Sequence, residues 1–235
     1  MHLLTTGNPK LMKGEKKGYL SFVLHLAPSN LSGYNTCPMA SNGCRAACLN
    51  TAGRGGLFKA GTSTNSIQEA RIRKTRMFFE DRDAFLSLLV ADIRAAVRMA
   101  ERKNLIPVFR LNGTSDIRWE SVSVEGFPNL MGMFPVQQFY DYTKLANRRD
   151  LPANYHLTFS RSESNAEQVD IAMLNGMNIA VVFDVVPSTY LGRPVVDGDE
   201  TDLRFLDARG VIVGLKAKGK GKKDTSGFVI LQKAS

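Results

Sequence analysis

Six short apolar runs, rich in β-branched and aromatic residues, recur along this 235-residue chain with helical patterns between them. They are YLSFVLHL (19–26), IPVFRL (106–111), QQFYDY (137–142), YHLTF (155–159), NIAVVFD (178–184) and VIVGLK (211–216). Each has the length of one strand and ends in polar residues. Between the first two, Phe85, Leu88, Leu89, Ile93, Ala96, Val97 and Ala100 recur at three- and four-residue steps, the stripe of an amphipathic helix. Asp83 is its expected N-cap and Asn104 its expected end. An earlier helix is expected from about Ser66 to Phe79, with EDRD as the break between the two. SNAEQVDIAMLNG reads as a further helix stopped at Gly176, and YTKLANRRD as a shorter one.

Alternation of strand and helix implies a parallel sheet with crossover helices. Two layouts fit, an open doubly wound sheet or a complete or partial βα barrel. No linker or internal repeat breaks the chain, so residues 1–235 are expected to form a single α/β domain. In either layout ligands gather at the C-terminal ends of the strands. The residues expected there are Asn112, Gly113, Thr114, Ser115 and Asp116 after the second run, and Asp141, Tyr142 and Lys144 after the third. Ser160, Arg161 and Glu163 follow the fourth run, Asp184 ends the fifth, and Lys216 and Lys218 end the sixth.

Composition narrows the setting. A hydrophobic content of 43% with 23% charged residues suits a well-cored soluble globule. No apolar run approaches the roughly 18 residues of a membrane span, and the N-terminus has no secretory apolar region. Three cysteines cannot all pair within one chain, which suggests a reducing, cytoplasmic setting. Net charge is +9. An excess of this kind suits a polyanionic partner, a nucleotide or nucleic acid, although a basic protein without such a partner has the same composition. The cations are grouped, as Arg71, Arg73, Lys74 and Arg76 and again as LKAKGKGKK, a basic loop over residues 216–223.

All three thiols, Cys37, Cys44 and Cys48, lie in one loop, residues 35–56. Its Asn, Pro, Ser, Gly and Arg content is that of a loop, which leaves simple packing as the weaker reading. A structural zinc site wants four ligands, and His25 is the candidate for the fourth. A [4Fe-4S] cluster on three cysteines explains the missing ligand, since it leaves one iron open to an exogenous group. Arg45 and Arg54 would offset the cluster's charge, and Gly53, Gly55 and Gly56 would let backbone N–H groups approach it.

A three-cysteine loop after the first strand resembles that of radical SAM enzymes, although the spacing here is Cys-x6-Cys-x3-Cys rather than Cys-x3-Cys-x2-Cys. The whole chain is similar to a family of bacteriophage proteins, the gene product 88 type, through LSFVLHLAPSNLSGYNTCPMASNGCRAACLNTAGRG and FRLNGTSD. The radical SAM resemblance implies a partial parallel βα barrel of about six strands, with Cys37, Cys44 and Cys48 as cluster ligands and S-adenosylmethionine on the open iron. Asn112, Gly113, Ser115, Asp116, Ser160 and Arg161 would then hold that cofactor, while Asp141, Asp184 and Lys216 would face a nucleotide or nucleic-acid substrate. Asn112-Gly113-Thr114-Ser115-Asp116 departs from the usual Gly-Gly-Glu, and Ala46 and Ala47 replace the usual aromatic before the last cysteine. The competing expectation is a non-catalytic nucleic-acid-binding phage protein with structural zinc or a redox-sensing cluster.

Other features read as structural. DGDETD has the oxygens of a cation loop, yet a turn at Asp197-Gly198 whose acids meet the basic loop fits better. His156 is read as a hydrogen-bonded structural residue and Trp119 as a core anchor. No P-loop, nucleophile elbow, zinc-protease motif or dinucleotide fingerprint occurs.

Overall fold

The computed structural model describes residues 1–7, 9–57, 62–148 and 150–232. Ten strands form one mixed sheet: β1 (Leu4–Thr5), β2 (Tyr19–Leu24), β3 (Ile106–Arg110), β4 (Gln138–Thr143), β5 (Tyr155–Ser160), β6 (Ile179–Phe183), β7 (Thr189–Tyr190), β8 (Arg193–Asp197), β9 (Ile212–Lys216) and β10 (Val229–Ile230). Among the described residues, six α-helices accompany them: α1 (Pro9–Glu15), α2 (Asn42–Ala46), α3 (Ser66–Glu80), α4 (Arg82–Arg102), α5 (Leu130–Met133) and α6 (Ala166–Leu174). The strand order is β1-β2-β3-β4-β5-β6-β9-β8-β7, with β10 beside β6.

All six apolar runs are strands, and β2, β3 and β4, like β5, β6 and β9, are parallel neighbours. The sheet is mixed because β1 joins β2 antiparallel and β7 folds back on β8 as a hairpin. The pairings follow an open path, and none among the described residues closes it into a barrel. The chain comprises two compact units. The first comprises Met1–Pro38, Gln68–Asp141 and Asp150–His156, and the second Met39–Ile67, Tyr142–Arg149 and Leu157–Ser235.

In the first unit, α4 returns the chain from β2 towards β3 and buries Phe85, Leu86, Leu89, Val90, Ile93, Ala96 and Ala100. Each fully buried Phe, Leu or Ile of that stripe contributes roughly 1.5–3 kcal/mol. Its N-cap is Asp81 rather than Asp83. The Asp81 carboxylate accepts the Ala84 N–H, so the expected break shrinks to that one residue. Asn104, at φ 54°, ends the helix as expected. Aromatic rings at paired positions knit the strands: Phe22 stacks on Phe109 at 5.7 Å, and Phe109 meets Phe139 at 5.4 Å. Trp119 is fully buried in this core beside Phe78.

The second unit packs Phe159, Val169, Ala172, Ile179, Val181, Phe183 and Ile212 between α6 and the sheet. YTKLANRRD is not a helix. Tyr142 and Thr143 extend β4, and the Thr143 hydroxyl accepts the Leu145 N–H, closing a local turn where a helix would begin. Arg149 lies outside the described residues. No helix among the described residues is long and apolar enough to cross a membrane.

Candidate functional site

The sequence-derived candidates divide between the two units. In the first, the loop after β3 works as a buttress. Gly113 donates to the Leu24 carbonyl, and a Cβ there would strike that carbonyl, Val23 and His25. Only glycine lets the chain pass so close. Thr114 donates to the Leu26 carbonyl, and the Asp116 N–H to Thr36. Asn112 is saturated: its side-chain oxygen accepts from Ser115, the Ile117 N–H and the Trp119 indole. Asp141 is fully buried and accepts from the Asn112 N–H at 2.7 Å, the Asn112 amide and the Tyr155 hydroxyl at 2.8 Å. Its carboxylate therefore fixes the loop from inside the fold. Cys37 is half-buried, its Sγ 3.6 Å from the Thr114 carbonyl, a distance at which the S–H donates. His25 pairs with the Thr5 hydroxyl at 3.3 Å, and His156 is half-buried on β5.

The second unit brings more of the candidates together, around Phe228. Cys44 packs against Ala217, Phe228 and Val229. The Lys144 ammonium stands 5.8 Å from the centre of the Phe228 ring and donates to the Ser160 hydroxyl at 2.8 Å. The Arg161 guanidinium donates to the carbonyls of Gly227 and Phe228. Glu163 holds the cysteine helix. One oxygen accepts the Gly43 N–H at 2.7 Å, and the other accepts the Ser41 hydroxyl at 2.8 Å. Ser41 in turn N-caps α2 by accepting the Cys44 N–H. Partial burial pushes the Glu163 carboxyl up, but the Gly43 and Ser41 hydrogen bonds outweigh it and hold the group below the usual carboxylate range. A side chain on Gly43 would collide with Ser226, Glu163 and Phe228.

Downstream, Cys48 caps the 3-10 turn Leu49–Thr51, its Sγ accepting the Asn50 N–H at 3.5 Å. Asn65 donates to the carbonyls of Gly55 and Leu57 and so fastens the loop's far end. The side chain of Arg54 lies outside the described residues. The basic run folds as the 3-10 turn Gly219–Lys223 and sits on the cysteine loop. A methyl added at Gly221 would stand 3.6 Å from Ala47, and one at Gly219 would stand 3.7 Å from Ala52. Arg45, Lys220, Lys222 and Lys223 are exposed and have no acidic partner among the described residues.

Lys218 is different, bound to Asp199 at 2.6 Å, while Asp199 also accepts the Lys216 N–H. One acid of DGDETD, Asp199, thus meets the basic loop, and its own N–H donates to the Asp197 carboxylate in the turn. Asp184 is drawn below the usual carboxylate range by the N–H groups of Gln232 and Val185, so it pins the C-terminal segment. In the other basic group Arg73 and Arg76 are exposed and one member is not. Lys74 is buried, donates to the Leu3 carbonyl at 2.7 Å, and has its pKa lowered by that burial.

Among the described residues, no group of three or more His, Cys, Asp or Glu could hold a metal ion. Each thiol is instead occupied locally: Cys37 by a carbonyl, Cys44 by an apolar cluster, Cys48 by an N–H. The donor chemistry suits a cluster; Cys37 belongs to the first compact unit and Cys44 and Cys48 to the second. Sequence reasoning missed Ser41, Asp224 and Phe228, although Ser-Asn-Gly-Cys is a legible N-cap signal. Asp224 accepts from Ser226 and the Val229 N–H and shapes the segment that carries Phe228.

No curated protein and no solved structure matches the chain. A family model described as Gene product 88 matches residues 2–232, almost its whole length, and the protein belongs to that family.

Proposed function

We propose that the protein binds nucleic acid through the phosphate backbone, using the cationic edge formed by the Gly219–Lys223 turn and the cysteine loop. The observation that carries this reading is the seat of that turn on Ala47 and Ala52, which brings the backbone of Lys220, Lys222 and Lys223 beside the loop that bears Arg45, all four being exposed. Cations without acidic partners gain most from a phosphate chain, because each contact releases condensed counterions. The test is anisotropy of labelled single- and double-stranded oligonucleotides across a salt series. The logarithm of affinity should fall linearly with that of salt, and K220Q/K222Q/K223Q should reduce the slope by about two to three. An unchanged slope sinks the reading.

A second reading keeps the iron–sulfur chemistry, supported by the meeting of Cys44 and Arg161 at Phe228, with Ser160 linked to that ring through Lys144. It requires the loop to gather Cys37, Cys44 and Cys48 on the metal. The radical enzyme, with its partial βα barrel and S-adenosylmethionine, rests on resemblance and on that gathering. Anaerobic purification followed by metal analysis decides it: iron and sulfide in equal amounts support the cluster, zinc alone supports a structural site, and neither leaves the thiols free.

A further inference from the structure

In the first unit, a ladder of aromatic rings leads from the core to the loop after β2. Phe85 meets Phe78 at 5.3 Å, and Phe78 meets Phe79 at 5.1 Å. Tyr34 then stacks on Phe79 at 4.5 Å with the ring planes 5° apart. Phe85 and Phe78 are buried, whereas Phe79 and Tyr34 are half-buried. Tyr34 is pinned at both ends: its N–H donates to the Ser32 hydroxyl oxygen at 3.3 Å and its phenol to Glu80 at 3.0 Å. The ring is thus held in place before any ligand arrives, which lowers the entropic cost of binding. Phe79 takes one of its faces, and no other ring among the described residues stacks on the second. Ser32 also ties Arg76 to this loop, its carbonyl accepting the Arg76 Nε–H at 3.3 Å. The Glu80 hydrogen bond raises the phenol pKa, and the nearby Arg76 charge opposes it. Arg73 lies one turn earlier on α3, and both arginines are exposed. Arg76 offsets Glu80, so with Arg73 these side chains leave the patch net positive.

We propose that Tyr34 stacks an unpaired base of single-stranded nucleic acid, with Arg73 and Arg76 taking the flanking phosphates. Every base has a π-face, so an aromatic platform of this kind tolerates any sequence. A base inside a duplex is already stacked and offers no free face, so the platform discriminates against paired strands. Residues three apart on a helix set their Cβ atoms about 5–6 Å apart, so Arg73 and Arg76 can engage one short stretch of backbone. The proposal rests on nucleic acid being the partner, but not on the Gly219–Lys223 edge, which belongs to the second unit.

The full-length protein is titrated into a single strand carrying fluorescent aminopurine, whose emission falls on stacking, and into the matching duplex, across a salt series. The parent should quench the single strand. Y34L should abolish the quenching and weaken single-strand binding about fivefold or more, by the same factor at every salt, because stacking releases no counterions. Y34F keeps the ring without the Glu80 hydrogen bond and should bind as the parent does. Duplex affinity should not change in either variant. R73Q/R76Q should reduce the single-strand salt slope by about one to two. Should Y34L unfold, quenching by the parent and the slope of R73Q/R76Q still decide. Unquenched emission, equal losses on duplex and single strand, or parental binding by folded Y34L would overturn the platform. A parent that binds only duplex overturns it and leaves the phosphate-binding reading standing. Parental slope in K220Q/K222Q/K223Q, with quenching kept, removes the Gly219–Lys223 edge and leaves the platform standing.

Discussion

Glu163 shows what one side chain contributes to this fold. Its two oxygens satisfy donors from Gly43 and Ser41, which orders the first turn of the cysteine helix. Because those hydrogen bonds favour the charged form, its folded pKa lies below the unfolded one. The stability it provides is therefore present above the unfolded carboxylate pKa and lost as pH falls through the folded value. E163Q should lower the melting temperature at neutral pH, and the difference from the parent should vanish as acid protonates Glu163. Thermal melts of the two proteins across a pH series check this; a constant difference would show that charge plays no part. The residue was legible as a strand-end candidate, but its partner was not. Nothing in a sequence connects Glu163 to Gly43, which lies 120 positions earlier.

Among the elements, β1 is the least predictable and the most heavily secured. Two residues have too little apolar surface to hold a strand at a sheet edge. Buried charges grip it instead: Asp92 accepts the Leu3 and Leu4 N–H groups, and Lys74 donates to the Leu3 carbonyl. Asp92→Ala leaves those N–H groups and a buried ammonium uncompensated, at a cost of about 3–5 kcal/mol. Chemical denaturation should record that loss, and hydrogen exchange should show Leu3 and Leu4 losing protection before the amides of β2. The helix over Ser66–Glu80 and the stripe of α4 were legible, because periodicity is a local property. The basic character assigned to Lys74 was misleading, since charge in a sequence says nothing of burial.

For the whole molecule, a net charge of +9 is a weaker statement than the place where the cations stand. R94Q/R98Q/R102Q removes the same charge from exposed sites on α4 as the triple lysine variant removes from the Gly219–Lys223 turn. If the edge is what binds, the α4 variant should keep most of the oligonucleotide affinity that K220Q/K222Q/K223Q loses. Equal losses in salt-matched titrations would mean that diffuse charge alone attracts the polymer. The six strands of the apolar runs, the α/β class and three of the helices were readable from the chain itself, because strand length and apolar period depend on near neighbours. Tertiary structure alone decided the antiparallel edge β1, the β7–β8 hairpin and the local partners of each thiol. It also decided that Asp141 is an internal support and that Gly219 and Gly221 rest on the cysteine loop. Those outcomes depend on hydrogen bonds and packing between residues far apart in sequence, where no periodicity announces the partner.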